Sequence, residues 1–232
     1  MTSYSFLSFA ALACYVCLLL ALLAAKKNQV IRVYILLLLS CVFWVGGSLF
    51  MRLLLWPGEK FWYDISMLGL TMLSWFLLRF VRAFAGSRQP LAERLWVPAL
   101  VAMNIVNILT GALLAAPDVR ESDSGISFVY QMTPGVIVLV VVFVLLVLNI
   151  IFVTLQLFKR DKAKRPAFMP VLIGLGVLVS GHFALLIPQL SGIPTDIAAS
   201  IIFVFCLIYA MYKRRLFRLK LLVSRGACYF VA

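Results

Sequence analysis

Long apolar stretches alternate with short polar connections along the whole chain. A helix needs about 20 residues to cross a hydrocarbon core of about 30 Å, and seven stretches are of that order. They predict spans at Ser5–Ala25, Val33–Met51, Trp62–Ala83, Trp96–Ala115, Gly135–Leu157, Met169–Leu190 and Ile193–Tyr212. Stretches of this length with so few charges are typical of transmembrane helices. The pattern therefore predicts an all-α integral membrane protein, built as a seven-transmembrane helix bundle.

One connection is longer than the others and has its own pattern. Between predicted spans four and five, acidic residues at Asp118, Glu121 and Asp123 precede an apolar, β-prone run at 126–132. Turn residues follow this run, beginning at Thr133. The segment is compatible with a short β-hairpin folded over the mouth of the bundle, and equally with a plain loop.

Composition supports a membrane protein and predicts no cofactor. With 65% hydrophobic residues, 12% charged residues and a mean hydropathy of +1.10, the chain has too little polar surface for a soluble domain. Cys14 and Cys17 have a C-x-x-C spacing, but they lie in an apolar stretch without His or carboxylate neighbours in the sequence. We interpret them as small packing residues and predict no metal site.

The positive charges are distributed unequally between alternate connections. Three of the 21 Lys and Arg residues, Arg52, Lys60 and Arg120, lie on one side of the predicted bundle. The other 18 share the opposite side: Lys26, Lys27, Arg32, Arg79, Arg82, Arg88, Arg94, Lys159, Arg160, Lys162, Lys164, Arg165, Lys213, Arg214, Arg215, Arg218, Lys220 and Arg225. By the positive-inside rule, the N-terminus is predicted outside and the C-terminus in the cytoplasm.

This distribution also accounts for the net charge of +13. In a soluble protein such a charge would suggest nucleic acid, but here the cations lie at helix ends facing one leaflet. Topology and contact with anionic lipid explain them, so the lipid bilayer is the predicted partner and nucleic acid is not.

Polar groups inside hydrocarbon are costly, so the few within the spans are the natural candidates for a ligand site. Six residues are predicted to line a pocket open to the outside: Asn104, Asn107, Trp75, Ser180, His182 and Asp196. The alternative is that Asn and His side chains satisfy each other or backbone carbonyls between helices, which contributes about 0.6 to 2 kcal/mol in membranes.

The same inventory argues against catalysis within this chain. A haem site usually requires two axial ligands, and the chain has one histidine. An intramembrane hydrolase requires a Ser/His/Asp or metal constellation, and an ion carrier normally requires carboxylates at mid-depth. None of these patterns is present in the sequence, so no catalytic residue is predicted.

The last predicted span ends in a basic, apolar segment. This segment would suit a helix that leaves the membrane along its inner surface. We predict a sensor domain at 1–215 and the start of a cytoplasmic linker at 216–232, leading to an output module; the alternative is a natural short tail. The residues predicted to couple the bundle to that module are Arg214, Arg215, Leu216 and Phe217.

Two motifs resemble those of a known family, the N-terminal seven-transmembrane sensor regions of bacterial histidine kinases and of related proteins such as diguanylate cyclases. The segment 193–197, Ile-Pro-Thr-Asp-Ile, is similar to the family's Pro-x-Asp-Ile/Leu entry to the last helix. The segment 215–219, Arg-Leu-Phe-Arg-Leu, is similar to its Arg-x-Leu-Phe/Leu-Asp-Leu exit. Trp44 lies in the second predicted span and Trp62 at the start of the third, and both match the family's preference for tryptophan there.

The resemblance implies a sensory input domain in the bacterial inner (cytoplasmic) membrane. It implies a small ligand or a membrane property as the stimulus, a conformational change passed through the seventh span, and a homodimer in the full-length protein. Two other readings of the chain stay open: a small seven-helix transporter or permease, and a membrane assembly subunit.

Overall fold

A computed structural model describes residues 3–23, 25, 28–87, 90–115, 117–122, 125–129, 133–160, 165–184 and 194–214. Over these residues the chain forms eight helices and one pair of strands. The helices are α1 (Ser3–Leu23), α2 (Gln29–Arg52), α3 (Glu59–Ala85), α4 (Leu91–Arg94), α5 (Trp96–Thr110), α6 (Val136–Arg160), α7 (Arg165–Ala184) and α8 (Thr195–Lys213). The strands are β1 (Asp118–Ser122) and β2 (Gly125–Val129).

Six of these helices, α1, α2, α3, α6, α7 and α8, are long and apolar enough to cross a membrane. The remaining predicted span, the fourth, corresponds to α5, which has 15 residues. The chain is thus a multi-pass membrane protein whose helices follow the predicted order. Helix ends differ from the prediction by several residues. For example, α7 begins at Arg165, whereas the prediction begins it at Met169, and residues 185–190 of that span lie outside the described residues.

The shortness of α5 has a local cause at each end. Pro98 has no backbone N–H and its ring crowds the carbonyl four residues earlier, that of Arg94, so the helical path is interrupted at Leu95 between α4 and α5. At the other end, Gly111 adopts a left-handed conformation (φ 62°) and its N–H bonds the Asn107 carbonyl at 2.7 Å. This is a common way for a helix to end. The prediction that the span continues to Ala115 is therefore wrong, because apolar residues 112–115 are not helical.

The central helix pair is α2 and α3, which pack antiparallel in close contact. A Cβ added at Gly47 would lie 2.6 Å from the Trp62 carbonyl oxygen, so α2 can approach α3 here only without a side chain. The Ser66 hydroxyl donates to the Trp44 carbonyl oxygen at 2.8 Å across the same contact. Small residues and interhelical hydrogen bonds commonly join helices in membranes.

Around this pair, α1, α7 and α8 complete the core, whose largest fully buried side chains include Tyr15, Tyr34, Phe80, Phe84 and Phe203. In contrast, most side chains of α6 are at least partly exposed. That surface suits lipid contact, since the transfer of apolar side chains into the hydrocarbon core is favourable.

The connection between α5 and α6 contains the two strands, which pair antiparallel from Asp118 opposite Val129 to Ser122 opposite Gly125. The described residues of this segment thus form an antiparallel strand pair. Its placement over the mouth of the bundle stays a prediction.

Candidate functional site

The bundle has two ends that differ in chemistry, and they are named here by one residue of α8 each. The Asp196 end contains the first turn of α8 and the last turn of α7. The Arg214 end contains the last turn of α8 and the end of α3. Of the predicted residues, Asp196 lies in the first turn of α8 and Arg214 lies at its C-terminal cap.

Helices α7 and α8 meet closely at the Asp196 end. A Cβ at Gly181 would overlap that of Ala199 and would lie 2.9 Å from the Thr195 carbonyl oxygen. The Thr195 hydroxyl donates to the Gly181 carbonyl oxygen at 2.9 Å. Thr195 is the polar residue at the helix entry, yet α8 has no side-chain capping bond. Its hydroxyl joins α8 to α7 instead.

His182 follows Gly181 and is held from two sides. Its ring stacks on Trp44 of α2, with centroids 5.5 Å apart and planes inclined by 26°. Its Nδ1 lies 2.9 Å from the Leu178 carbonyl oxygen. A carbonyl only accepts, so Nδ1 carries the proton and donates. Nε2 is buried and has no partner among the described residues.

Asp196 is the second residue of α8 and is 9% exposed. Its Oδ1 is buried and receives no hydrogen bond from the described residues. The Asp196 Cα would lie 3.5 Å from a Cβ added at Gly181, so the α8 backbone passes close to α7 here. One turn further along α8, the hydroxyls of Ser200 and Tyr15 are 2.6 Å apart, which ties α8 to α1.

The two asparagines have partners within the bundle. The Asn104 amide nitrogen donates to the Thr71 hydroxyl at 2.9 Å and to the Leu100 carbonyl at 2.8 Å, joining α5 to α3. The Asn107 amide oxygen accepts from the N–H groups of Leu113 and Leu114 at 3.2 and 2.8 Å. It therefore satisfies backbone donors in the non-helical segment after α5.

The remaining two candidates lie apart from His182 and Asp196. Ser180 is exposed in an open groove on the surface of the α7–α8 pair, beside Gly176 and Thr195. Trp75 is 3% exposed within the helix core. His182 thus lies against Trp44 of α2, and Asp196 lies in the first turn of α8 where that helix meets α7. The other four predicted residues lie elsewhere.

An aromatic cluster at the Arg214 end is not among the features predicted from the sequence. The Phe84 ring packs edge-to-face on Phe168 of α7 and stacks on Phe80, at centroid distances of 5.0 and 5.6 Å. The Arg214 guanidinium lies over the same Phe84 ring. The four-residue spacing of Phe80 and Phe84 was the available sequence signal. The predicted coupling residues Arg215, Leu216 and Phe217 lie outside the described residues.

A second missed feature at that end is the ion pair of Arg82 and Glu93. The Arg82 Nε lies 3.2 Å from each Glu93 carboxylate oxygen, and its Nη2 donates to Oε1 as well. Glu93 is 6% exposed. The pair fixes the turn between α3 and α4, and so helps to position α5. In the sequence, Arg82 stands out only as one of the basic residues.

No group of three or more His, Cys, Asp or Glu residues that could hold a metal ion occurs in the part of the chain that the structure describes. Two comparisons bear on the whole chain. The model of a family described as the N-terminal 7TM region of histidine kinase matches residues 7–220. No curated protein matches the chain.

Proposed function

Because the chain belongs to the family of N-terminal seven-transmembrane regions of histidine kinases, we propose that it detects a ligand near Asp196 and relays a change through α8. The receiver of that change is a cytoplasmic output module beyond residue 215. Regions of this type are sensory and non-catalytic, so the chemistry of signalling belongs to the output module.

The proposed orientation puts the Asp196 end outside and the Arg214 end in the cytoplasm of a bacterial inner membrane. It rests on the charge asymmetry of the sequence, whose pattern predicts 18 of the 21 Lys and Arg residues on the same side as Arg214. In this orientation Asp196 and His182 face a stimulus from outside. The basic residues after α8 face anionic lipid and the output module, which we propose to be dimeric in the full-length protein.

The observation that carries the proposal is the set of contacts made by α8 along its length. It bonds α1 through Ser200 and Tyr15, and α2 through the Tyr34 hydroxyl, which donates to the Val204 carbonyl at 3.0 Å. It meets α7 at Gly181 and α3 where Arg214 lies over Phe84. A shift of its first turn therefore changes contacts at both ends.

The free energy for such a relay has to come from ligand binding. A ligand shifts the bundle only through its affinity difference between two arrangements. Moving the population from 1:99 to 99:1 requires about 5.5 kcal/mol of differential binding. Contacts of about 1 kcal/mol each, such as the α8 hydrogen bonds, are of the size that can set the balance.

The test is the output of the full-length protein in cells, read with a transcriptional reporter. Tyr34→Phe removes the α2–α8 hydrogen bond, and Tyr15→Phe removes the α1–α8 bond, with little change in shape. We expect both to change basal output at equal membrane abundance. Tyr212→Phe, on an exposed part of α8, is the matched control and should leave output unchanged.

The proposal fails if Tyr34→Phe and Tyr15→Phe both give the wild-type output, as the control Tyr212→Phe should. Solute uptake by proteoliposomes containing the chain alone would instead favour a transporter. Obligate co-purification with another membrane protein would favour an assembly subunit.

A further inference from the structure

We propose that α6 carries the surface on which a second copy of this chain binds, with the Asn149 side chains of the two copies paired across a two-fold axis. This gives a membrane contact to the dimer proposed for the full-length protein, and it rests on that function only for its biological meaning. Association of two copies does not itself require a relay.

Asn149 is a polar residue in the middle of the least buried of the six long helices. Because α6 runs from Val136 to Arg160, Asn149 lies about 20 Å along the helix from its first residue and about 17 Å from its last. The side chain is half-buried and makes no hydrogen bond with any described residue. The middle of a bilayer offers no water to bond a carboxamide, so an unpaired one is costly there.

Other polar side chains of the long helices find partners within the chain. Thr154, further along α6, donates to the Ile150 carbonyl oxygen of its own helix at 2.6 Å. Thr71 of α3 likewise donates to the Met67 carbonyl oxygen at 2.9 Å. Asn149 bonds neither its own helix nor a neighbouring one among the described residues. Its carboxamide therefore needs a partner that reaches the middle of α6 from the side.

Asn149 belongs to an accessible stripe along α6. The members of this stripe are Val138, Leu145, Phe152 and Gln156, which are exposed, and Val142 and Asn149, which are half-buried. They are separated alternately by four and three residues, the a/d spacing of helices that pack as a left-handed coiled coil. Many membrane helices cross at the same shallow angle. The stripe is therefore shaped to pack along another helix.

A different side of α6 faces the protein. Leu146, Ile150 and Val153 are buried there, and α6 packs on α3. The stripe that contains Asn149 is thus not used by the contacts that hold α6 in the bundle. A second helix can cover the stripe without displacing any described element.

The partner that fits this stripe is a second copy of the chain. Two copies in one membrane have the same orientation, so their α6 helices run parallel and a two-fold axis brings Asn149 opposite Asn149 at equal depth. A carboxamide has two N–H donors and a carbonyl acceptor, so each side chain can donate to the other. Asparagine at an a position of a parallel pair specifies the register and the number of helices.

Gln156 strengthens the argument for a second copy. It lies seven residues after Asn149, on the same stripe, and makes no hydrogen bond with any described residue. The two-fold axis that pairs Asn149 also brings Gln156 opposite Gln156. An unrelated helix would need hydrogen-bonding groups at both depths, whereas a second copy has them by symmetry. Lipid chains have none at either depth.

The test is Förster energy transfer between donor-labelled and acceptor-labelled copies of the purified chain, dyed at an N-terminal tag, in phosphatidylcholine liposomes. The lipid-to-protein ratio is varied. We expect the wild type to associate reversibly, with a transfer efficiency that falls as lipid is added. Asn149→Leu should weaken association by about tenfold. Leucine gains nothing by leaving lipid, so it does not replace the lost hydrogen bonds.

Three further variants make the test specific to the amide and to the stripe. Asn149→Gln keeps the carboxamide and should retain most of the association. Gln156→Leu should weaken it in the same direction as Asn149→Leu. Ser180→Leu is the matched control, because it removes an exposed polar group from the α7–α8 surface, and it should associate like the wild type. Circular dichroism checks that each variant keeps its helical content.

Wild-type transfer no higher than that expected for random mixing would overturn the interface and leave the stripe to lipid. Equal association of Asn149→Leu and the wild type would also overturn it, as would a loss caused by Ser180→Leu alone. Capture of a different membrane protein that Asn149→Leu abolishes, without association of copies, would assign the stripe to that protein instead. None of these results depends on cellular output, so a failure of the relay and a failure of the interface are distinguishable.

Discussion

The guanidinium carbon of Arg214 lies 4.9 Å from the centroid of the Phe84 ring, where α8 ends. Phe84 in turn packs on Phe168 of α7. One aromatic ring of α3 thus contacts both α7 and the end of α8. Cation–π contacts contribute about 0.5 to 1 kcal/mol when exposed and about 2 kcal/mol when desolvated.

Removing the Arg214 cation should loosen the end of α8. We expect Arg214→Gln to lower the free energy of unfolding by about 1 kcal/mol, measured by thermal unfolding in nanodiscs. Lys213→Gln is the matched control, because Lys213 lies over Tyr209 of its own helix, 5.3 Å from the ring centroid. If both variants lose the same stability, the lost charge matters rather than the contact with α3.

Breaking the Arg82–Glu93 pair should be more costly, since both side chains are largely buried, at 15% and 7% exposure. We expect Glu93→Ala to cost about 3 kcal/mol, because it leaves a buried guanidinium without its partner. The double variant Arg82→Met with Glu93→Met should recover most of that loss. Denaturant titration in mixed micelles measures both. A double variant that is no more stable than Glu93→Ala would contradict the reasoning.

The exposed pair Lys60–Asp64 provides a comparison. The Lys60 side chain is 59% exposed, and the two charged groups are 2.8 Å apart. Ion pairs exposed to water contribute about 0 to 1 kcal/mol. Asp64→Asn should therefore change stability far less than Glu93→Ala in the same titration.

Two glycines of α7 should respond oppositely to one added methyl group. At Gly181 the new Cβ would overlap Ala199, so we expect Gly181→Ala to cost about 1 to 3 kcal/mol and to move α7 from α8. At Gly176 the new Cβ meets nothing within 4 Å, so Gly176→Ala should be neutral or slightly stabilising. Thermal unfolding of the two variants side by side measures the difference. Equal losses would show that α7 and α8 do not approach as described.

The two asparagines of α5 should differ in the same assay. Asn107→Leu leaves the N–H groups of Leu113 and Leu114 without their acceptor, and we expect a loss of about 1 to 3 kcal/mol. Asn104→Leu removes a donor from Thr71 and from a helical carbonyl, and strands no N–H group. It should cost less. A larger loss for Asn104→Leu would contradict this assignment.

The long spans could be predicted from the sequence because membrane helices are selected by length and apolar character alone. The end of α5 could not be predicted that way. Residues 112–115 are as apolar as the helix before them. What ends the helix is the left-handed turn at Gly111 together with a side-chain acceptor at Asn107, and hydropathy registers neither of these.

The candidate site was predictable only in part. His182 and Asp196 were identified because polar groups are rare in spans, but that rule says nothing about partners. It therefore grouped them with Asn104 and Asn107, which hold the bundle together, and with Ser180, which faces outward. The two glycines of α7 likewise look alike in the sequence, and only the structure distinguishes buried Gly181 from exposed Gly176.

The 15 residues of α5 rise only about 22 Å, against about 30 Å for a typical hydrocarbon core. Neighbouring α3, with 27 residues, rises about 40 Å. The bilayer beside α5 must thin, or headgroups must dip toward it, at a cost of a fraction of a kcal/mol per Å of mismatch. Membranes of different thickness therefore strain this side of the protein to different degrees. The length of the lipid chains thus acts mechanically on the bundle.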